Sequence, residues 1–251
     1  MIRAKTLGFR HGDQAPWLFR DLSFTVARGQ TLVLLGRNGR GKTTLLKSIA
    51  GLIAPTSGSI RCKGEIGYVP QSFLPAFAYS VFDIVLMGRA RHIGMFSNPT
   101  AADRVHAMEA LAQLGLAELA PRSITTLSGG ERQLVLIARA LASEAEILLL
   151  DEPASALDFR NQAVVLSTLR RLARERGLTV VMTTHEPTHA LEIADRAVLL
   201  YGGGVAEEGP VAEVLTAAKL SDLYGMAMKR FGDDAGEAAH IVADYASIVR
   251  T

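Results

Sequence analysis

Three short segments of this sequence carry residue types whose spacing suits phosphate chemistry. The first is Gly36-Arg-Asn38-Gly39-Arg-Gly41-Lys42-Thr43, followed by Thr44. Glycines at this spacing let consecutive backbone N–H groups face one anion, and a helix starting near Lys42 adds its positive dipole end. The Lys42 amine offers a point charge to β- and γ-phosphates, and the Thr43 hydroxyl can ligate Mg²⁺. The motif specifies a nucleotide phosphate site without naming the base. The second segment is the apolar run Ile147-Leu-Leu-Leu150 ending in Asp151 and Glu152. A buried strand that delivers Asp151 beside a phosphate loop can hold Mg²⁺ or its waters, and Glu152 is then placed to polarise an attacking water. The third is Leu127-Ser128-Gly129-Gly130-Glu131. Serine and two glycines at a helix N-terminus make a second anion-binding end, although serine also serves as an ordinary N-cap. Two phosphate-binding helix ends in one chain predict that two copies share the nucleotides.

These groups need elements to position them. The apolar run Thr31 to Leu35 leads directly into the glycine-rich turn, and Thr43 to Ile49 carries Leu45, Leu46 and Ile49 at helical spacing. Ile2 to Leu7 and Leu22 to Val26 read as N-terminal strands, with Ser59 to Arg61 and Ile66 to Val69 as further short ones. Val81 to Leu116 and Leu134 to Ala142 are mostly helical in pattern, so residues of about 72 to 143 form a helical insertion. Strands and helices then alternate: Glu146 to Asp151, the amphipathic Asn161 to Arg176, β-branched Leu178 to Thr184, Pro187 to Ile193, and Arg196 to Tyr201. Short apolar runs between breakers suit buried parallel strands, which predicts an α/β core. No element is predicted for the stretch after Leu220, including Gly232 to Gly236.

Composition narrows the classes. The chain has 251 residues, 49% of them hydrophobic and 21% charged, which excludes whole-chain disorder. Net charge is only +2, but Met1 to Arg61 holds 10 Lys/Arg against 2 Asp/Glu. That basic quarter suits phosphate, anionic lipid or plain solvent, and nothing global argues for nucleic acid. The one cysteine, Cys62, has no partner for a disulfide or a thiolate metal site, consistent with a reducing compartment. The start MIRAKTLGF lacks the pattern of a secretory signal, and no segment is long and apolar enough to span a membrane. A mean hydropathy of +0.21 points to large buried faces or to a partner.

Taken together the segments resemble the nucleotide-binding subunit of ATP-binding cassette (ABC) transporters. The resemblance rests on the phosphate loop at Gly36, Tyr68-Val-Pro-Gln71, Leu127-Ser-Gly-Gly-Glu131, the strand ending at Asp151 and Glu152, Ser155-Ala-Leu-Asp158, and Thr184-His185. All occur once and in order over roughly residues 1 to 220, which would be the ATPase domain, with 221 to 251 a tail of unassigned role. The resemblance implies a P-loop core with a mixed, largely parallel sheet, an antiparallel N-terminal β subdomain and an inserted helical subdomain. It also implies that Gly36, Asn38, Gly39, Gly41, Lys42, Thr43 and Thr44 hold ATP, that Thr43, Gln71 and Asp151 serve Mg²⁺, and that Glu152 is the general base. Lys42, Gln71 and His185 would complete the catalytic group, with His185 sensing the γ-phosphate. Ser128, Gly129 and Gly130 would contact ATP held by a second copy, and Asp158 would lie at that interface.

Departures from the family pattern leave some positions open. The aromatic that stacks on adenine would fall at His11, with Phe9 and Trp17 as alternatives, while Arg40, Glu131 and Ala154 replace commoner residues without removing a catalytic charge. The stretch Ala78 to Arg89 with His92 and Ile93 is similar to importers of iron–siderophore, haem, vitamin B12 or molybdate, and metal chelate and oxyanion remain evenly weighted. On this resemblance the chain would be an ATPase at the cytoplasmic face of the inner membrane. Its partners would be a second copy and polytopic permease subunits, with a substrate-binding protein acting indirectly and no nucleic acid. The alternative is a non-transport ABC ATPase of the iron–sulfur assembly or cell-division type.

Overall fold

The computed structural model describes residues 1–73, 77–94, 97–231 and 240–245. Gly232 to Gly236 and parts of the stretches at 72 to 96 lie outside the described residues. The N-terminal strands β1 (Ile2–Phe9), β2 (Phe19–Val26) and β4 (Ser57–Cys62) pair antiparallel in the order β2-β1-β4. The central sheet has six strands in the order β5-β6-β7-β3-β8-β9, built from β3 (Thr31–Leu35), β5 (Ile66–Val69), β6 (Ile147–Leu150), β7 (Thr179–Thr184), β8 (Arg196–Gly202) and β9 (Val205–Pro210). All of its pairings are parallel except β8 with β9. This is the mixed α/β architecture that the sequence predicts.

Alternation along the strands sorts the core into two layers. Leu32, Leu34, Leu149 and Val181 point to the side covered by α1 (Lys42–Ile49) and the N-terminal sheet, where Leu45, Leu46 and Phe24 meet them. Val33, Leu35, Leu148, Leu150 and Met182 point to the opposite side. There they pack against the helices that include α4 (Gly129–Ala142), α5 (Phe159–Arg176) and α6 (Pro187–Ile193). Because both faces are covered, the central strands are apolar throughout rather than alternating.

The helical insertion consists of α2 (Val81–Leu86), a 3₁₀ turn over Met87–His92, α3 (Ala101–Gln113) and α4. Gly88 is required by packing, since a Cβ there would drive into the Arg139 carbonyl of α4. The adjoining Arg89 is buried. Its Nε donates to Asp103 Oδ1 at 3.0 Å, and its Nη1 donates to the Ala142 carbonyl at 2.9 Å. Thr100, which caps α3, donates to Asp103 through both its hydroxyl and its backbone N–H, and Arg89 adds a third donor. These hydrogen bonds hold the Asp103 carboxyl down to about 2. A depressed folded-state value contributes stability above the ordinary aspartate range near ~4 and loses it as pH falls toward about 2. Asp103→Asn is therefore expected to lower the urea midpoint at neutral pH and to lose that effect across this acid window. An equal gap at every pH would contradict the assignment.

After β9 the chain forms α7 (Val211–Val214), α8 (Ala217–Tyr224), and a hairpin of β10 (Met228–Phe231) and β11 (His240–Ala243). Leu220, Leu223 and Ile241 enter the main core, so the segment expected as a tail begins inside a packed helix.

Candidate active site

The site is assembled at the C-terminal ends of β3, β6 and β7, side by side in the sheet. The loop after β3 supplies the backbone. Gly39 and Gly41 take φ of +77° and +92°, conformations that L side chains rarely adopt, and Gly41 is the N-cap of α1 with no side-chain cap. The first-turn N–H groups of α1 are thus left for an incoming acceptor. Gly36 stands behind the loop rather than in the cleft: a Cβ there would lie 2.7 Å from the Leu200 carbonyl of β8. Lys42, only 5% exposed, turns back over the loop, with Nζ donating to the Gly36 carbonyl at 2.8 Å and standing 3.5 Å from Glu152 Oε1.

Asp151 and Glu152 follow β6 directly. The buried Asp151 accepts from Thr43 Oγ1 at 3.0 Å and from Thr183 Oγ1 at 2.7 Å, both on Oδ1. Thr183 Oγ1 also accepts the Glu152 backbone N–H at 2.8 Å. Sequence reasoning missed Thr183; only its place two residues before His185 on a β-branched strand could have marked it. The Tyr68 phenol, half-buried on β5, is pushed up to about 12, first by burial and then by the negative charge of Asp151.

Glu152 holds its backbone at φ +46°, the left-handed region, and its carboxylate is drawn into a ring of donors. Gln71 Nε2 donates to Oε2 at 3.4 Å. His185 Nδ1 lies 3.3 Å from the same oxygen but without hydrogen-bond alignment, leaving that buried nitrogen unsatisfied. His185 is otherwise half-exposed, with its backbone carbonyl accepting from the Tyr224 hydroxyl of α8 at 2.7 Å. Burial pushes the Tyr224 phenol well above its usual value, which keeps it a donor. Tyr224 too was missed, because its hydroxyl bonds a backbone atom 39 positions away.

These residues surround a cleft of about 440 Å³ lined by Asn38, Gly39, Gly41, Lys42, Thr43, Thr44, Gln71 and Glu152, with His11 and Leu18 at one side. Of the three aromatic candidates only His11 reaches it. Trp17 lies under the Arg10 guanidinium, 4.9 Å from its ring centre, and Phe9 packs against Phe19. Arg37 is exposed near Gly225, and Arg40 lies against Gly202. The cleft can take an anion chain: backbone N–H donors and Lys42 at one wall, a potential base at the other. The donor set also fits Mg²⁺, because the Thr43 hydroxyl and the Asp151 carboxylate, 3.0 Å apart, are hard oxygen ligands facing the phosphate loop.

Ser128, Gly129 and Gly130 do not line this cleft. Ser128 caps α4 in a reciprocal box with Glu131: its Oγ accepts the Glu131 N–H at 3.3 Å, and Glu131 Oε2 accepts the Ser128 N–H at 2.9 Å and hydroxyl at 2.8 Å. Those bonds lower the Glu131 carboxyl below its usual range. Gly130 packs so tightly on Asn161 that a Cβ would overlap its side chain, and Asn161 is in turn tied to Asp158, the N-cap of α5, by bonds of 2.8 and 3.0 Å.

The chain is similar to several known proteins. Residues 19–155 match the family model described as ABC transporter. The chain is 46% identical over 227 residues to the molybdate import ATP-binding protein MolC of Haemophilus influenzae, covering 90% of this chain and 89% of that one. It superposes with a TM-score of 0.92 and 44% identity on an inward-facing transporter assigned to the metal-chelate ABC type, over 98% of both chains. The dimeric structure of a bacterial ABC transporter cassette aligns at 27% identity and a TM-score of 0.69, over 84% of this chain and 99% of that one.

Proposed function

The chain belongs to the ABC transporter family, and on that premise we propose that it is the ATP-hydrolysing subunit of an importer for a metal chelate or a molybdate-type oxyanion. The observation that carries this reading is the convergence of Lys42, Thr43, Gln71, Asp151, Glu152 and His185, drawn from four separate sequence segments, on one cleft. The cargo classes are those of the relatives: import of molybdate for one, a metal-chelate type for the other.

In this reading the glycine loop and the α1 terminus bind the phosphates of ATP through backbone N–H groups, and Lys42 neutralises their charge. Mg²⁺, held by Thr43, Asp151 and Gln71, would supply further neutralisation of the β- and γ-phosphates when bound. Thr183 fixes Asp151 and the Glu152 backbone together, so the carboxylate of Glu152 is aimed before nucleotide arrives. Glu152 accepts the proton of the attacking water, and Gln71 and His185 bracket the same carboxylate oxygen, with His185 turned to the γ-phosphate. His11 covers the adenine.

The chain works as a pair. Ser128 to Gly130 lie outside their own cleft, which supports their meeting the nucleotide of a second copy, with Asp158 at the shared surface. Closure on two ATP molecules and reopening after hydrolysis would drive permease subunits through the helical insertion. Among the described residues no helix is long and apolar enough to cross a membrane, consistent with peripheral attachment to such subunits.

The test is ATP turnover of the purified protein, alone and coexpressed with its membrane partner. Stimulation in the complex, raised further by a binding protein loaded with molybdate, haem or a siderophore, supports the importer and identifies the cargo. Turnover indifferent to every membrane partner, with a soluble assembly factor copurifying, would replace it with the non-transport alternative. A Ser128 substitution should spare nucleotide binding by the single chain while impairing turnover that needs two copies.

A further inference from the structure

His189, on α6, is 4% exposed and has no place in the chemistry described so far. Its two ring nitrogens sit in a line of hydrogen bonds with one consistent direction. The Glu186 backbone N–H donates to Thr184 Oγ1 at 3.1 Å, and Thr184 Oγ1 lies 3.1 Å from His189 Nδ1. The Thr184 hydroxyl can donate to Nδ1, and the ring proton then sits on Nε2, where both facing oxygens are acceptors. That nitrogen lies 3.4 Å from Gln162 Oε1 on α5 and 3.4 Å from Glu186 Oε2. With its oxygen accepting from His189, the Gln162 amide donates to the Leu157 carbonyl at 3.1 Å and the Ala154 carbonyl at 3.3 Å. Burial lowers the His189 pKa, which favours the neutral ring this pattern requires.

The two ends of this line are the loop that carries His185 and the turn Ala154–Asp158. The turn is gripped from its other side by Asn161, on which Gly130 of α4 rests. We propose that His189 is a positioning residue: through Gln162 it locks the His185 loop to the turn before α5, so that phosphate contact at His185 sets the turn that meets the second copy. This rests on the reading of His185 and Asp158 given above. A histidine suits the position because it accepts at one nitrogen and donates at the other; an apolar residue of similar volume would fill the space and cut the line.

The experiment uses the full chain, with His189→Leu, Gln162→Leu, the double variant, and His189→Gln, whose amide can still donate to Gln162. Either leucine variant is expected to lower kcat about tenfold, the scale of losing about one net hydrogen bond in the active geometry. KM and binding of a fluorescent ATP analogue by the single chain should stay within about twofold, because no phosphate ligand is touched. The double variant should be no worse than either single one, and His189→Gln should recover most of the loss. In a Glu152→Gln background, the leucine variants should weaken ATP-induced dimerisation. Unchanged kcat well below each variant's melting temperature, or losses that multiply in the double variant, would overturn the proposal. Should His189→Leu fail to fold, the half-buried Gln162 decides the matter alone. Absence of ATP turnover in the wild type would instead overturn the proposed function, which keeps the two failures apart.

Discussion

Glu152→Gln is expected to leave ATP binding intact while cutting turnover about 10²- to 10⁴-fold, the range that a positioned general base contributes. The substitution keeps the shape and the left-handed backbone of the residue, so the turn that carries it has no reason to move. What changes is the lone pair available to the water and the negative charge near the γ-phosphate. Lys42 Nζ, 3.5 Å from Glu152 Oε1, loses a competing carboxylate and is freer to serve phosphate. The closed two-copy state should therefore accumulate with ATP, visible as a doubling of mass in sedimentation that the wild type shows only transiently. Brisk hydrolysis by this variant would remove Glu152 from the role of base.

Lys42→Ala should fail one step earlier, at binding. The ammonium is buried, donates to the Gly36 carbonyl at 2.8 Å and the Arg37 carbonyl at 3.4 Å, and stands 3.5 Å from Glu152 Oε1, so its charge lies at the cleft wall rather than in solvent. A hydrogen bond to a charged group is worth about 1.5–3 kcal/mol, which predicts an ATP affinity weaker by about tenfold to a hundredfold. The deletion also strips the Glu152 carboxylate of a nearby cation just where anionic phosphate must enter, so the loss should fall toward the larger value. Calorimetric titration with ATP checks it; unaltered affinity would mean the phosphates lie elsewhere. The two variants part company in one assay, since the first binds without turning over and the second does neither.

The phosphate loop was legible in the sequence because its requirement is a backbone one: φ of +77° and +92° at positions 39 and 41 all but demands glycine, and glycine is visible in a string of letters. The buried strand before Asp151 was equally legible, since burial on both faces removes polar residues from it. The helical insertion followed from periodicity. Thr183 was not legible, because a β-branched residue in a strand reads as packing, and nothing local says that its hydroxyl bridges Asp151 to the Glu152 backbone. Nor was the choice among Phe9, His11 and Trp17. That choice turns on how the chain after β1 folds back over Arg10, a contact between side chains seven positions apart with no periodic signature. The C-terminal segment was unreadable for a similar reason. Leu220, Leu223 and Ile241 look like any short apolar residues until α8 and the hairpin bring them onto the core.

The backbone of Glu152 has a consequence for how this protein can change. A non-glycine residue held at φ +46° carries a strain of order 1–3 kcal/mol. Glycine at that position would relieve the strain and steady the fold while abolishing the carboxylate. Selection for a sturdier molecule and selection for a working one thus pull in opposite directions at a single residue. A library screened for heat resistance alone would be expected to lose its activity here first.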